Sequence, residues 1–268
     1  MWPAHQTKIE MLVGDGLVLD IGGWCDPFLR ADYVLDVFPY ETRGLAYHGI
    51  GKLPINCVYP NPLPGERFTK ETWIVHDICS ERPFPFPDKM FDFVVCSHTL
   101  EDVRDPLRAC SEIIRVGKAG YIETPSRIGE MLMSYDGLIG AVHHRWLVEI
   151  RDHRISFRMK HHFLHTSTDF YIPPSYKRTM DRIQGITFLF WENSFEYEEI
   201  AGYEYYRETK EFIKSLNIPK SLYWIDYLRR FKHTTLQYWQ NRLQQRQQPP
   251  TEELWTWHAL FEASKRYL

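Results

Sequence analysis

Two aspartates, Asp20 and Asp36, each close a short apolar run, and the glycine pair Gly22 and Gly23 follows the first of them. A carboxylate is purely an acceptor with several lone pairs, which suits a ligand carrying paired hydroxyls such as a ribose. Residues without Cβ let backbone approach such a ligand closely. The runs are Val18-Leu19-Asp20-Ile21 and Tyr33-Val34-Leu35-Asp36. Continuous apolar strings of this kind read as parallel strands buried on both faces, and nucleotide-like ligands bind where such strands end. The turn Gly22-Gly23-Trp24-Cys25 is not G-x-G-x-x-G, so a dinucleotide pyrophosphate is poorly matched.

The elements that would position these residues follow in order. Trp73-Ile74-Val75 is a third apolar run, continued by His76-Asp77-Ile78. Pro83, Pro85 and Pro87 enforce an extended loop, because each ring fixes φ and disfavours helix before it. Phe91-Asp92-Phe93-Val94-Val95-Cys96 reads as a central strand, with Ser97 and His98 at its mouth. Residues 104–116 have helical spacing, with Leu107, Cys110, Ile113 and Ile114 on one face. Gly117 and Gly120 end that helix, and Tyr121-Ile122-Glu123-Thr124 begins a fifth strand that Pro125 closes. Only one or two helical turns fit between Gly23 and the second strand, so the first crossover helix is truncated or replaced by a loop.

In this order and spacing, VLDIGG, the acid of YVLD, HDI, PFPFPDKMFDFVVCSHTLEDVRDP and EIIRVGKAGYIETP resemble a class I S-adenosylmethionine-dependent methyltransferase of the methyltransferase type 11 kind. The resemblance covers roughly the first half of the chain. It implies an α/β fold: a Rossmann-like seven-stranded methyltransferase sheet, here with an added hairpin and a helical C-terminal region. It implies that Asp20, Ile21, Gly22 and Gly23 face the methionine end of S-adenosyl-L-methionine, and that Asp36 accepts from both ribose hydroxyls. It further implies Asp77 and Ile78 at the adenine, and Ser97 and His98 around the sulfonium. The shortened glycine turn departs from the family's longer one, and a non-catalytic binding or scaffolding relative stays open as the alternative. An NAD-dependent oxidoreductase would need the phosphate-cradling turn that this sequence lacks.

A length of 268 residues and a net charge of −3 permit one large core with additions and give nucleic acid no default role as partner. No stretch approaches the roughly 18 apolar residues of a membrane span, and a secretory apolar core is lacking. Five cysteines form no C-x-x-C pair, which fits reduced thiols and a cytoplasmic protein.

The second half is less legible. Residues 44–70 read as a Pro- and Gly-rich loop, and 127–141 as a helix weakened by Gly129, Gly137 and Gly140. Residues 147–150 and 155–160 read as a hairpin, and so do 186–191 and 195–200. One hairpin should supply the sixth and seventh strands, and the other should extend the sheet or cover the substrate. Residues 203–216, 222–245 and 254–268 look helical. Their aromatic residues could line an acceptor pocket, seal a homodimer or simply pack the helices, the last being the commoner case. The expected division is a methyltransferase domain over 1–200 and a helical extension over 201–268.

Histidines add two expectations. His161 and His165 lie one helical turn apart but lack the glutamate of H-E-x-x-H, so no metal site is expected. His143 and His144, beside a strand where this family builds acceptor sites, join His98 as candidates for a catalytic base, a role that needs a pKa near working pH. The expected reaction is in-line methyl transfer to a small-molecule acceptor.

Overall fold

The computed structural model describes residues 1–43, 65–133, 138–166, 168–202, 204–229 and 231. It divides into two compact units, Met1–Leu222 and Tyr223–Leu268. The second is described only at residues 223–229 and 231, which are helical. The expected helix over 254–268, and most of that over 222–245, therefore lies outside the described residues.

Six strands form the main sheet: β1 (Val18–Ile21), β2 (Tyr33–Asp36), β3 (Trp73–Val75), β4 (Phe93–Ser97), β5 (Ala119–Pro125) and β8 (Ile186–Glu192). Their order is β3-β2-β1-β4-β5-β8, with every pairing parallel except the antiparallel β5–β8 edge. The order reverses between β1 and β4, which opens a crevice at the carboxyl ends of both.

Side chains alternate across each strand. Leu19, Ile21, Val94 and Cys96 enter one buried layer with Ala109, Cys110, Ile113 and Val116 of helix α2 (Pro106–Val116). Val18, Val34, Val95 and Tyr121 enter the opposite layer with Ile9 of helix α1 (Pro3–Val13). Helix α2 starts where the Asp105 carboxylate accepts the Arg108 N–H at 2.9 Å, with proline in its first turn. The sequence reading missed α1, because its inward face is mostly polar. His5 packs on Phe188 at 4.2 Å between ring centres, and Lys8 lies 4.0 Å over the Phe190 ring.

The hairpin expected over 147–160 forms as β6 (Trp146–Arg151) and β7 (Arg154–Met159). Its turn puts Asp152 and His153 at φ +49° and +62°, the left-handed pair that a two-residue loop requires. The second expected hairpin does not form. Strand β8 is flanked by β5, while β9 (Glu196–Glu199) pairs in parallel with β7 in a separate three-stranded sheet. The acidic β9 pairs Glu196 with Arg154, whereas β8 offers an aromatic string to the main sheet. The described residues thus hold six main-sheet strands where seven were expected.

Two further expectations change. Helix α3 spans only Arg127–Met131, since Leu132 turns extended at ψ 125°, and Gly140 at φ +60° lies against Glu130. The first unit also runs to Leu222 rather than 200, because helix α4 (Glu204–Ser215) buries Tyr205, Tyr206 and Ile213 in a third cluster with Met131, Leu147, Leu164 and Ile172. Residues 22–32 between β1 and β2 contain no helix, as their brevity implied.

Candidate functional site

A cleft of about 310 Å³ opens at the carboxyl ends of β1, β2 and β3. Gly22, Asp36, Asp77 and Ile78 line it, together with Leu35, Val37, His76, Cys79, Thr99, Val103, Arg104 and Arg145. Four of the eight cofactor-site residues expected from the sequence therefore meet in one place.

Gly22 has φ +74°, and a Cβ there would lie 2.1 Å from Thr99 Oγ1. Both the left-handed backbone and the absent side chain are required. Asp36 is nearly buried, accepting the Trp24 N–H on Oδ2 at 3.0 Å and the Phe38 N–H on Oδ1 at 2.8 Å. Burial raises its pKa against the lowering effect of these amides. The Val37 amide also bears on this carboxylate, and acceptor capacity remains for the cleft. Trp24 stacks on Phe38 with ring centres 4.1 Å apart and donates to Thr42 Oγ1, so the short loop is braced without a helix.

Asp77 accepts the Cys79 N–H at 2.9 Å and an Arg104 N–H at 2.7 Å. Burial alone would raise its carboxyl, but these two partners outweigh it and hold the pKa low.

The remaining expected cofactor residues sit behind the cleft wall. Asp20 lies beneath the turn, where Oδ2 accepts the Phe28 N–H at 2.8 Å, and burial pushes its pKa to about 7. Gly23 makes room for that carboxylate, since a Cβ would lie 2.2 Å from Asp20 Oδ2. Ile21 is fully buried, and its carbonyl accepts from Thr99 Oγ1 at 3.3 Å. Ser97 donates to Glu123 Oε1 at 3.2 Å.

His98 bridges two buried carboxylates. Its Nδ1 is 3.4 Å from Glu101 Oε1, and its Nε2 is 3.1 Å from Glu123 Oε1. Burial would lower its pKa, yet Glu101 and Glu123 outweigh that and raise it to about 9. Glu123 behaves conversely: burial works against its charge, while His98, the Tyr121 hydroxyl and the Trp2 N–H bring its pKa to about 2. An imidazolium held charged at neutral pH has no lone pair with which to take a proton.

A pH dependence of stability follows. The His98 contribution is complete below the unfolded value of 6.5 and disappears as pH rises through about 9. The Glu123 contribution is present above 4.5 and is lost as pH falls through about 2. Because the His98 side chain is 43% exposed, solvent screening reduces the alkaline loss to about 1–2 kcal/mol. Urea unfolding from pH 6 to 10 should show this decline, and His98→Asn, which tolerates φ +54°, should flatten it. An equally steep decline in the variant would remove His98 as the cause.

His143 and His144 lie on the segment before β6, which is tied to the β4–α2 loop through Glu101. The Glu101 carbonyl accepts the N–H groups of Arg145 at 2.7 Å and Trp146 at 3.0 Å. His144 binds Glu130 through Nδ1, and Glu130 also pairs with Lys160. Sequence reasoning missed Arg104 and Arg145 in the cleft, and no local pattern marks either. One enters from the start of α2 and the other from the approach to β6.

Residues 63–122 match the family model described as a methyltransferase domain. Similar solved structures include an S-adenosylmethionine-dependent methyltransferase from Mesorhizobium loti, 18% identical, covering 59% of this chain and 64% of that one, with a TM-score of 0.34. Another is a SAM-dependent methyltransferase from Aquifex aeolicus, 20% identical, covering 46% and 64%, with a TM-score of 0.31. The chain spans about half to two-thirds of the length of such structures. No curated protein sequence matches it. Residues 63–122 thus resemble a methyltransferase domain, and likeness at this level says nothing of the acceptor.

Proposed function

We propose that the protein is an S-adenosylmethionine-dependent methyltransferase acting on a small-molecule acceptor. The observation that carries this reading is the convergence of Gly22, Asp36, Asp77 and Ile78 on one cleft at the point where the strand order reverses. The residues fit an adenosyl group: Leu35, Val37, Ile78 and Val103 offer apolar walls to a planar base, and Asp36 retains acceptor capacity beyond its backbone amide partners for a ribose hydroxyl. When bound, S-adenosylmethionine supplies an electrophilic methyl on a sulfonium.

The protein's part is to bind, orient and exclude water. Asp36 would hold the ribose, and the bare Gly22 backbone would let the methionine arm lie close to β1. Arg145 lines the cleft with no side-chain partner among the described residues, which suits a carboxylate there. His143, 66% exposed beside Asp102, is better placed than His98 to accept an acceptor's proton, with His144 braced behind it on Glu130. The free thiols Cys25, Cys79, Cys96 and Cys110 support a reducing, cytoplasmic setting as part of the same proposal. Among the described residues no helix is long and apolar enough to cross a membrane.

Calorimetry with S-adenosylmethionine and its demethylated product tests the reading. Asp36→Ala should weaken both by about 1.5–3 kcal/mol, roughly 10- to 150-fold in Kd. Absence of binding by the unaltered protein would favour a non-catalytic fold relative, and unchanged affinity in the variant would remove Asp36 from the ribose site.

A further inference from the structure

We propose that Asp102, His143 and His144 form a binding site for a divalent transition-metal ion at the edge of the cleft. One ligand atom from each lies within 4.8 Å of the others. His144 Nε2 is 3.7 Å from Asp102 Oδ1, and His143 Nε2 is 3.9 Å from Asp102 Oδ2. These separations are too long for hydrogen bonds, which reach about 3.2 Å. They run to different Asp102 oxygens, so the carboxylate faces both imidazoles, and they exceed by a few tenths of an ångström the roughly 3.3–3.6 Å between ligand atoms that share a tetrahedral ion with bonds of about 2.0–2.2 Å. Asp102 Oδ1 is also a buried acceptor without a hydrogen-bond partner. A buried carboxylate oxygen in that state calls for a cation or an ordered water.

Two further features arrange these groups before any ion arrives. The histidine segment is fixed to the Asp102 loop by the paired amides of Arg145 and Trp146 on the Glu101 carbonyl. The liganding histidine is itself oriented, because His144 Nδ1 engages Glu130 and Glu130 is locked by Lys160 Nζ at 2.7 Å. Donation from Nδ1 to Glu130 would leave the Nε2 lone pair facing Asp102. A carboxylate behind a ligating histidine is the usual means of fixing its tautomer and raising its basicity.

Two imidazoles and one carboxylate favour zinc, cobalt, nickel or iron(II) over magnesium or calcium, which prefer oxygen ligands. Three protein ligands leave a position open for water or a substrate atom, and an ion there would occupy the His143 Nε2 lone pair, so His143 would act as a base only in the ion-free protein. Histidines at adjacent positions, with the aspartate 41 residues before the first, match no recognised metal-binding spacing, so only the fold assembles the site.

The claim is tested on the full chain without cofactor, so its failure is distinct from failure of the transferase reading. After chelator treatment and removal of the chelator, Co2+ is titrated and followed by its visible d–d absorption, with Zn2+ added as competitor. One ion per chain is expected, displaced by Zn2+. His143→Ala should weaken Co2+ binding at least tenfold without disturbing the fold, because that side chain is largely exposed. Asp102→Asn should do the same, and Glu130→Gln should cost about 10- to 100-fold through His144. His162→Ala, at an exposed histidine elsewhere, should leave the affinity unchanged. No binding by the unaltered protein, or equal binding by His143→Ala and Asp102→Asn, would overturn the proposal.

Discussion

Replacing Glu130 with alanine should destabilise the fold by about 3–5 kcal/mol, the usual effect of leaving one member of a buried ion pair uncompensated. Glu130 and Lys160 have side chains 3% and 2% exposed, and their charged atoms are 2.7 Å apart. Lys160 would keep only its bond to the Ala141 carbonyl, and His144 would lose its Nδ1 partner. The segment after α3 would suffer as well, since Gly140 packs against both members of the pair. Urea denaturation should register the loss as a lower midpoint with little change in slope. The double variant Glu130→Leu/Lys160→Met should recover most of it, because apolar residues of similar volume often replace such a pair at no net loss. A single-variant loss below about 1 kcal/mol would show that the pair is solvated in solution.

Gly22→Ala is expected to affect both stability and the proposed cofactor site. The new Cβ would lie 2.1 Å from Thr99 Oγ1 and 2.4 Å from Thr99 Cγ2, at a backbone φ of +74°. Left-handed strain of about 1–2 kcal/mol adds to an overpacking cost of about 1–3 kcal/mol. Thr99 has little freedom to yield, because it is nearly buried and its hydroxyl reaches the carbonyls of Ile21 and Ser97. The loss should total about 2–5 kcal/mol, and S-adenosylmethionine binding should weaken at least tenfold as the turn shifts into the cleft. Thr99→Ala in the same chain should restore only part of the stability, since Thr99 Cβ would still be 2.8 Å away and the strain would persist. Full restoration by Thr99→Ala would mean that contact, and not backbone conformation, is what the glycine serves.

Much of the cleft lining was legible because it is local. Apolar runs of three to five residues ending in Asp36 or just before Asp77 identify buried parallel strands and the acids at their tips. The same rule overreached for Asp20. It lies on β1 one residue before the strand end, beneath the turn, where its Oδ2 accepts the Phe28 N–H, whereas Asp36 is the last residue of β2 and reaches the cleft. Ser97 and His98 were likewise placed correctly along the chain, but their partner Glu123 comes from the neighbouring strand β5.

The sequence alone determined the first five strands, the helix between the fourth and fifth, the β6–β7 hairpin and the acids facing the cleft, since each follows from periodicity, turn chemistry or short-range spacing. Only the tertiary structure decided that β8 and β9 part into different sheets, that His98 is held as a cation between Glu101 and Glu123, and that Asp102 meets His143 and His144. Apart from the His98–Glu101 contact, which spans three residues, those outcomes depend on charges and backbone bonds joined across about 25 to 42 residues of chain, and no local preference encodes such long-range pairing.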